Sequence, residues 1–269
     1  MTNEKITVGL STTAVYPSPV SKAFEVASRL GYDGVEIMVT QSQNSRTVHH
    51  LQKLEQQYET KILSIHAPNL LLTHFVWGRS HHNKMFKTIE LAQELNVNTI
   101  VVHPPMRTQY RHARDFLENV AELEANSGLK VAVENMFPWR VKNKSLDVYS
   151  PSWDVIKENA SNMTLDFSHA ALSGFDSLQE VKQIGDRLAH IHLCDGRTAN
   201  GNGDKVMDEH ALPGEGDQPV AEVLQHLASS GWVGSIVAEV NTRQFKTPNG
   251  KLKALKKTLE FARTNLQTF

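Results

Sequence analysis

Short apolar runs rich in Val and Ile alternate along the chain with longer stretches whose apolar positions recur at helical spacing. The runs are ITVGLST from Ile6, GVEIMV from Gly34, KILSIHAP from Lys61 and TIVVHPP from Thr99. KVAVENM from Lys130, MTLDFSH from Met163, LAHIHLCD from Leu188 and SIVAEV from Ser235 complete the set. Runs this short and this apolar suit strands of a parallel sheet that is covered on both faces. The stretches between them predict helices over about 19–30, 47–58, 79–95, 111–126, 152–159, 178–184, 220–229 and 251–265. Successive strands start roughly 33 residues apart, the length of one strand–helix unit. Eight such units in 269 residues predict an α/β fold, a single (β/α)8 TIM barrel occupying 1–269. An open doubly wound sheet is the competing architecture, but no Gly-x-Gly-x-x-Gly turn follows the first strand.

Composition changes this picture little. The chain is 40% hydrophobic and 21% charged, enough to bury a full core. A net charge of −1 is not the basic balance of a dedicated nucleic-acid binder, although a local basic stripe can hide in a neutral total. The lone Cys194 excludes an internal disulfide and reads as a small buried hydrophobe. No apolar run is long enough to span a bilayer, and MTNEKITVGL lacks the regions of a signal peptide, so a cytoplasmic location is expected. Three loops, at 69–78, 137–151 and 196–217, are long for a barrel, and loops of that length usually carry function.

The chemistry lies in where the titratable residues fall. His66, His103, Glu134, Asp166, His192 and Glu239 each close a predicted strand, one apiece from the third strand to the eighth. His169 follows Asp166 by three residues, and Asp208 and His210 sit in the loop after the seventh strand. A barrel gathers its strand C-termini at one mouth, where active sites are found. Four carboxylates meeting there would repel one another by roughly 4 kcal/mol per pair about 4 Å apart at an effective dielectric of 20. Divalent cations relieve that repulsion, and five histidines beside the carboxylates favour zinc, manganese or cobalt over calcium.

Several neighbours are assigned secondary parts. His190 shares the face of His192 by strand alternation but lies one layer deeper, as a core histidine or an orienter of a ligand. Glu36, at the end of the second strand, reads either as such an orienter or as a substrate contact. Asp195 and Arg197 follow the ligand on the seventh strand. Arg197 suits a phosphate or sugar oxygen, or is simply a solvated loop arginine. The pairs His49-His50 and His81-His82 fall in predicted helices and read as surface.

The same residues resemble those of the xylose isomerase-like TIM-barrel superfamily, which holds endonuclease IV together with many sugar and sugar-phosphate isomerases and epimerases. The resemblance runs through GYDGVEI at 31–37, HAP at 66–68, VVHPP at 101–105, VENM at 133–136 and LDFSHA at 165–170. It continues in HIHLCD at 190–195, DEH at 208–210, PGEGD at 213–217 and AEVN at 238–241. Similarity to endonuclease IV implies three zinc ions. His66 and His103 would hold one, Asp166, His192 and Glu239 a second, with Glu134 bridging the two, and His169, Asp208 and His210 the third. Similarity to the isomerases and epimerases implies a single divalent ion, zinc, manganese, cobalt or magnesium, on Glu134, Asp166, His192 and Glu239. Glu134 and Glu239 would then also exchange protons with the sugar, while His169 and Arg197 contact it.

Two functions follow as expectations. The first is a metal-dependent isomerase or epimerase of a sugar or sugar phosphate, favoured by the four-ligand core and the neutral charge. The alternative is a zinc-dependent AP endonuclease or phosphodiesterase acting on DNA, favoured by the complete nine-ligand set. Basic clusters at 107–114 and 140–144 follow the fourth and fifth strands and can face the same mouth. Leu70-Leu71-Leu72 reads either as a wedge for a base stack or, preferably, as a loop packed on its own apolar residues. The segment HAPNLLLTHFVWG nevertheless departs from the endonuclease IV pattern.

Overall fold

In the computed structural model, eight parallel strands pair edge to edge until the first meets the last, closing a barrel. The structure describes residues 6–69, 73, 75–109, 115–141, 144–198 and 207–267. The barrel strands are β1 (Thr7–Ser11), β2 (Gly34–Met38), β3 (Lys61–His66), β4 (Thr99–Val102), β5 (Lys130–Glu134), β8 (Met163–Asp166), β9 (Leu188–Leu193) and β10 (Ser235–Ala238). Helices α1 (Val20–Leu30), α2 (Val48–Tyr58), α3 (His81–Glu94) and α4 (Phe116–Ser127) follow the first four strands in turn. After β8 come α5 (Phe167–Ser173) and α6 (Ser177–Ile184), after β9 α7 (Val220–Ser230), and after β10 α8 (Pro248–Asn265). The barrel predicted from the sequence is therefore the one observed.

Strand alternation sorts the barrel into two environments. Ile37, Ile65, Leu165 and Ile191 are fully buried on the face that meets the helices. The opposite face carries polar residues into the lumen in layers. Register pairs Glu36 with Ser64 and Thr164 with His190 in one layer, and Met38 with His66 and Asp166 with His192 in the layer above. A β-bulge opposite Val35 and Glu36 sets the first of these pairings, since it lets Leu63 pass without a partner. Leu63 then fills the bottom of the barrel. A Cβ built on Gly34 would lie 2.5 Å from the Lys61 carbonyl oxygen and 2.6 Å from Leu63 Cγ, so only glycine fits there.

Three expectations about local structure need correction. The helix expected over 152–159 is only a 3-10 turn, Val155–Lys157. Asp154 pairs with Lys157 at 2.6 Å, and Arg187 takes the carbonyls of Ile156 and Glu158, so the turn ends before a second can form. The polar stretch after β5 contains an antiparallel hairpin, β6 (Trp139–Val141) and β7 (Lys144–Leu146), that was not foreseen. His81, read as surface, is buried at the start of α3, where Nε2 lies 3.0 Å from the His103 carbonyl. Residues 81, 84, 85, 88, 89 and 92 share the buried face of α3, a helical spacing that includes the histidine. His82 and His49 are exposed, and Cys194 is fully buried, all as expected.

Replacing Gly34 by Ala should destabilise the barrel by about 1–3 kcal/mol through the clash with backbone at Lys61, read as a lower denaturation midpoint; an unchanged midpoint would show that β2 can shift. A second expectation concerns α6. Burial, with Asp154 and Asp176 nearby, pushes the Glu180 carboxyl up to about 8. The unfolded chain loses this proton first, so stability should fall as pH rises from the ordinary carboxylate range to about 8, by at most about 1.4 kcal/mol per pH unit. Urea midpoints across that range should show Glu180→Gln flattening the slope, and an unaltered slope would refute the assignment.

Candidate metal centre and active site

All nine predicted ligands meet at the C-terminal mouth. Glu134 stands at their centre, nearly buried, with both oxygens occupied. Its Oε2 lies 3.2 Å from His66 Nε2 and 2.8 Å from His103 Nε2, and its Oε1 lies 3.2 Å from both His169 Nδ1 and His192 Nδ1. On the far side of His192 Nδ1 stand Glu239 Oε2 at 3.0 Å and Asp166 Oδ2 at 3.8 Å. His169 Nε2 faces Asp208 Oδ2 at 3.5 Å, and His210 Nε2 faces Asp208 Oδ1 at 3.1 Å. Ligand atoms thus cluster as His66, His103 and Glu134, as Glu134, Asp166 and His192, and as His169, Asp208 and His210.

Backbone and side-chain contacts aim these groups. The His66 ring turns Nδ1 to the Ala67 carbonyl at 3.1 Å, which leaves Nε2 for the site. Asp166 caps α5, accepting from the His169 backbone N–H at 2.8 Å, and so fixes the three-residue spacing between the two. Asn135 clamps β8: its Oδ1 accepts from Asp166 N and its Nδ2 donates to the Asp166 carbonyl. His210 turns Nδ1 to the Glu239 carbonyl at 2.8 Å, and Ser168 Oγ donates to Asp208 at 2.7 Å. Thr13 Oγ1 donates to Glu239 Oε1 at 2.9 Å. Asn135, Ser168 and Thr13 were missed; the adjacency of Asn135 to Glu134 and of Ser168 to His169 was the only signal the sequence carried.

The loop ligands Asp208 and His210 depend on Asp195. Its carboxylate, fully buried, accepts from the backbone N–H groups of Gly196, Gly214, Gly216 and Gln218 at 2.8–3.2 Å. Its backbone pairs with Ala211 in both directions, which pins the loop just beyond His210. A side chain at Gly216 would fall on the Asp195 carboxylate, hence the glycine in the Pro-Gly-Glu-Gly turn.

Glu36 lies below the site with no exposed surface, so it cannot touch substrate as one of the two expectations had it. It is the orienter instead. Oε1 stands 3.2 Å from His192 Nε2, Oε2 stands 3.0 Å from His190 Nε2, and Ser64 Oγ donates to Oε2 at 2.8 Å. Glu36 thus sets negative charge beside His192 Nε2, while Nδ1 faces the carboxylates above. His190 lies one layer deeper, as expected. Arg197 points elsewhere: its side chain is exposed and paired with Glu209 at 2.9 Å. It is the solvated loop arginine of the two alternatives.

The charges balance only through cations. Burial alone would raise Glu134, but the charges of His103 and His192 hold it well below the usual carboxylate range. Burial likewise opposes the low value of Glu239, which neighbouring His192 brings down to about 2. Burial works against a charged His192, yet Glu239, Glu134 and Glu36 drive it well above its ordinary value. A proton on Nδ1, with carboxylates on several sides, stands where a metal cation would bind. Nitrogen and oxygen donors in buried, pre-oriented groups of three or more fit zinc or a similar divalent ion.

The mouth opens into a pocket of about 860 Å3, which reaches Glu239, Asp208 and His210 at its inner end. Thr12, Thr13, Thr40 and Ser42 line it with hydroxyls. Lys84, buried in α3, donates from Nζ to the carbonyls of Pro68 and Thr73 and so ties down the loop after β3. Of the basic clusters, Arg107 is paired with Asp147 and Arg140 donates to the Leu172 carbonyl. Residues 110–114 and 142–143, and Leu70-Leu71-Leu72, lie outside the described residues.

The chain belongs to the xylose isomerase-like TIM barrel family, whose model matches residues 24–265. An uncharacterised protein of Mycobacterium tuberculosis is 42% identical over 97% of this chain and 98% of its own. Fructoselysine 3-epimerase of Shigella flexneri is 22% identical over 89% of this chain and 92% of its own. Among solved structures, the IOLI protein with a bound zinc atom superposes with a TM-score of 0.69 at 17% identity, covering 97% of this chain and all of that one. At that identity the likeness establishes the fold alone.

If Glu36 sets the tautomer of His192, Glu36→Gln should weaken zinc binding by about 10–100-fold in calorimetric titration. Affinity equal to that of the unaltered protein would show that His192 needs no such partner.

Proposed function

We propose that the protein is a divalent-metal-dependent isomerase or epimerase of a sugar or sugar phosphate. The observation that carries this reading is that Glu134 and Glu239 both approach His192 Nδ1, at 3.2 and 3.0 Å, while Glu239 also lines the pocket that opens at the mouth. Glu134, Asp166, His192 and Glu239 would hold the ion. A divalent ion there supplies Lewis-acid polarisation of a carbonyl oxygen. Glu239, which lines the pocket, takes a proton from the sugar carbon next to that carbonyl, and Glu134 returns a proton to the resulting enediolate. Thr13 fixes the carboxylate of Glu239 by holding Oε1. His169, whose Nε2 lies 3.5 Å from the pocket residue Asp208, would contact the bound sugar. The likeness to a 3-epimerase and to a zinc-bound barrel supports the same reading.

A second reading, phosphodiester hydrolysis, is favoured by one observation: His66, His103, Asp208 and His210 also converge, although a single-ion epimerase has no use for them. Their clusters share Glu134 or adjoin it. Nothing in the described mouth adds the basic stripe that DNA would require, as Arg107 and Arg140, the two described arginines of the predicted clusters, are already engaged.

The test is proton exchange. Incubated in heavy water with D-fructose or D-fructose 6-phosphate, the metal-loaded protein should place deuterium on the carbon beside the carbonyl. Glu239→Gln and Glu134→Gln should each slow this by about 10²-fold or more. Exchange that survives both substitutions would overturn the roles of the two glutamates, and cleavage of bis(p-nitrophenyl) phosphate with no exchange would overturn the epimerase reading in favour of the second.

A further inference from the structure

We propose that Arg243 binds an oxyanion on the substrate, so that this pocket takes an anionic sugar derivative, a phosphate monoester or a sugar acid, in preference to a neutral sugar. The proposal rests on the reading of the site as a sugar-converting one and narrows its substrate class.

Arg243 is the sole lysine or arginine among the described residues that line the pocket, which also carries the carboxylates of Asp208 and Glu239. It lies four residues beyond Glu239, in a 3-10 turn (Thr242–Gln244) that Asn241 caps by accepting from the Arg243 backbone N–H. Thr242 Oγ1 donates to the Ala14 carbonyl at 2.7 Å and locks this turn to the loop after β1. That lock brings the guanidinium over the ring of Tyr16, 5.8 Å from its centroid. Tyr16 is 59% exposed and lines the same pocket, so arginine and ring form one wall.

Among the described residues, Arg107, Arg140 and Arg197 are occupied. Arg107 and Arg197 each hold a carboxylate at 2.9 Å, and Arg140 donates to a backbone carbonyl. The Arg243 guanidinium has a single contact of that kind, 3.4 Å from Nε to the Asn241 side chain, and no carboxylate within 4 Å among the described residues. Its two terminal nitrogens therefore remain as a fork of donors, held in orientation by the ring, a geometry that suits a carboxylate or phosphate. Hydroxyls of Ser18, Thr40 and Ser42 line the same cavity and can donate to the remaining oxygens. The sequence singled out Arg197 for this part, and the fold gives it to Arg243.

Calorimetric titration of the protein as purified, with its metal retained, would test this using D-fructose, D-fructose 6-phosphate and D-gluconate. At least one charged sugar should bind about 10–100-fold more tightly than D-fructose. Whichever charged sugar gains more identifies the oxyanion. Arg243→Met should bring that affinity down towards the neutral value, and Arg243→Lys should restore part of it. The substitutions are needed because metal ions also attract anions, and only the arginine's share disappears in Arg243→Met. Equal affinity for all three sugars in the unaltered protein, or a preference that survives Arg243→Met, would overturn the proposal. Binding is read separately from turnover: an arginine-dependent preference without proton exchange would count against the epimerase reading alone.

Discussion

The mouth of this barrel is organised by one carboxylate. Glu134 sits almost without solvent among His66, His103, His169 and His192, each within 3.2 Å of one of its oxygens. A buried anion is tolerable only when cations and hydrogen-bond donors surround it. The reverse constraint acts on His66, His169, His192 and His210, whose protons persist in the interior only because Glu134, Asp166, Asp208 and Glu239 lie opposite. Neither set is stable there without the other, and a bound divalent ion does the same balancing with fewer protons.

The barrel makes such a cluster possible. Parallel strands end together at one mouth, and alternation points every second side chain inward. Successive layers then divide the work. Glu36, Ser64 and His190 form a lower polar layer that aims His192, while the layer above supplies the ligands. The upper loops are fixed by buried polar groups, Asp195 under the loop after β9 and Lys84 under the loop after β3. Loops held in this way can present Asp208 and His210 as reliably as a strand presents Asp166.

Much of this was legible in the sequence, for a physical reason. Val/Ile runs that end in His, Asp or Glu report both the strand and the mouth position of its last residue, so the fold and the convergence of nine ligands could be read together. What escaped were contacts between segments distant in the chain. Asn135 clamping Asp166 and Ser168 holding Asp208 use ordinary polar residues that nothing local marks out. His81 looked like surface because polar neighbours masked the buried face of α3. Arg197 and Arg243 are indistinguishable as loop arginines until the fold shows one against Glu209 and the other against Tyr16. The burial of Glu36 depends on the closure of the barrel, which places its carboxylate beneath His192.

The central claim is that these residues form a metal centre built around Glu134. Elemental analysis of the chain purified without chelator, beside Glu134→Gln prepared in the same way, tests it most directly. At least one tightly held divalent ion per chain, zinc foremost, is expected, with loss of most of that metal in Glu134→Gln. Three ions per chain would mean that all the clusters fill and would favour phosphodiester chemistry over proton transfer. Protein that carries no metal and takes none up near neutral pH, or Glu134→Gln that retains its full complement, would contradict the account.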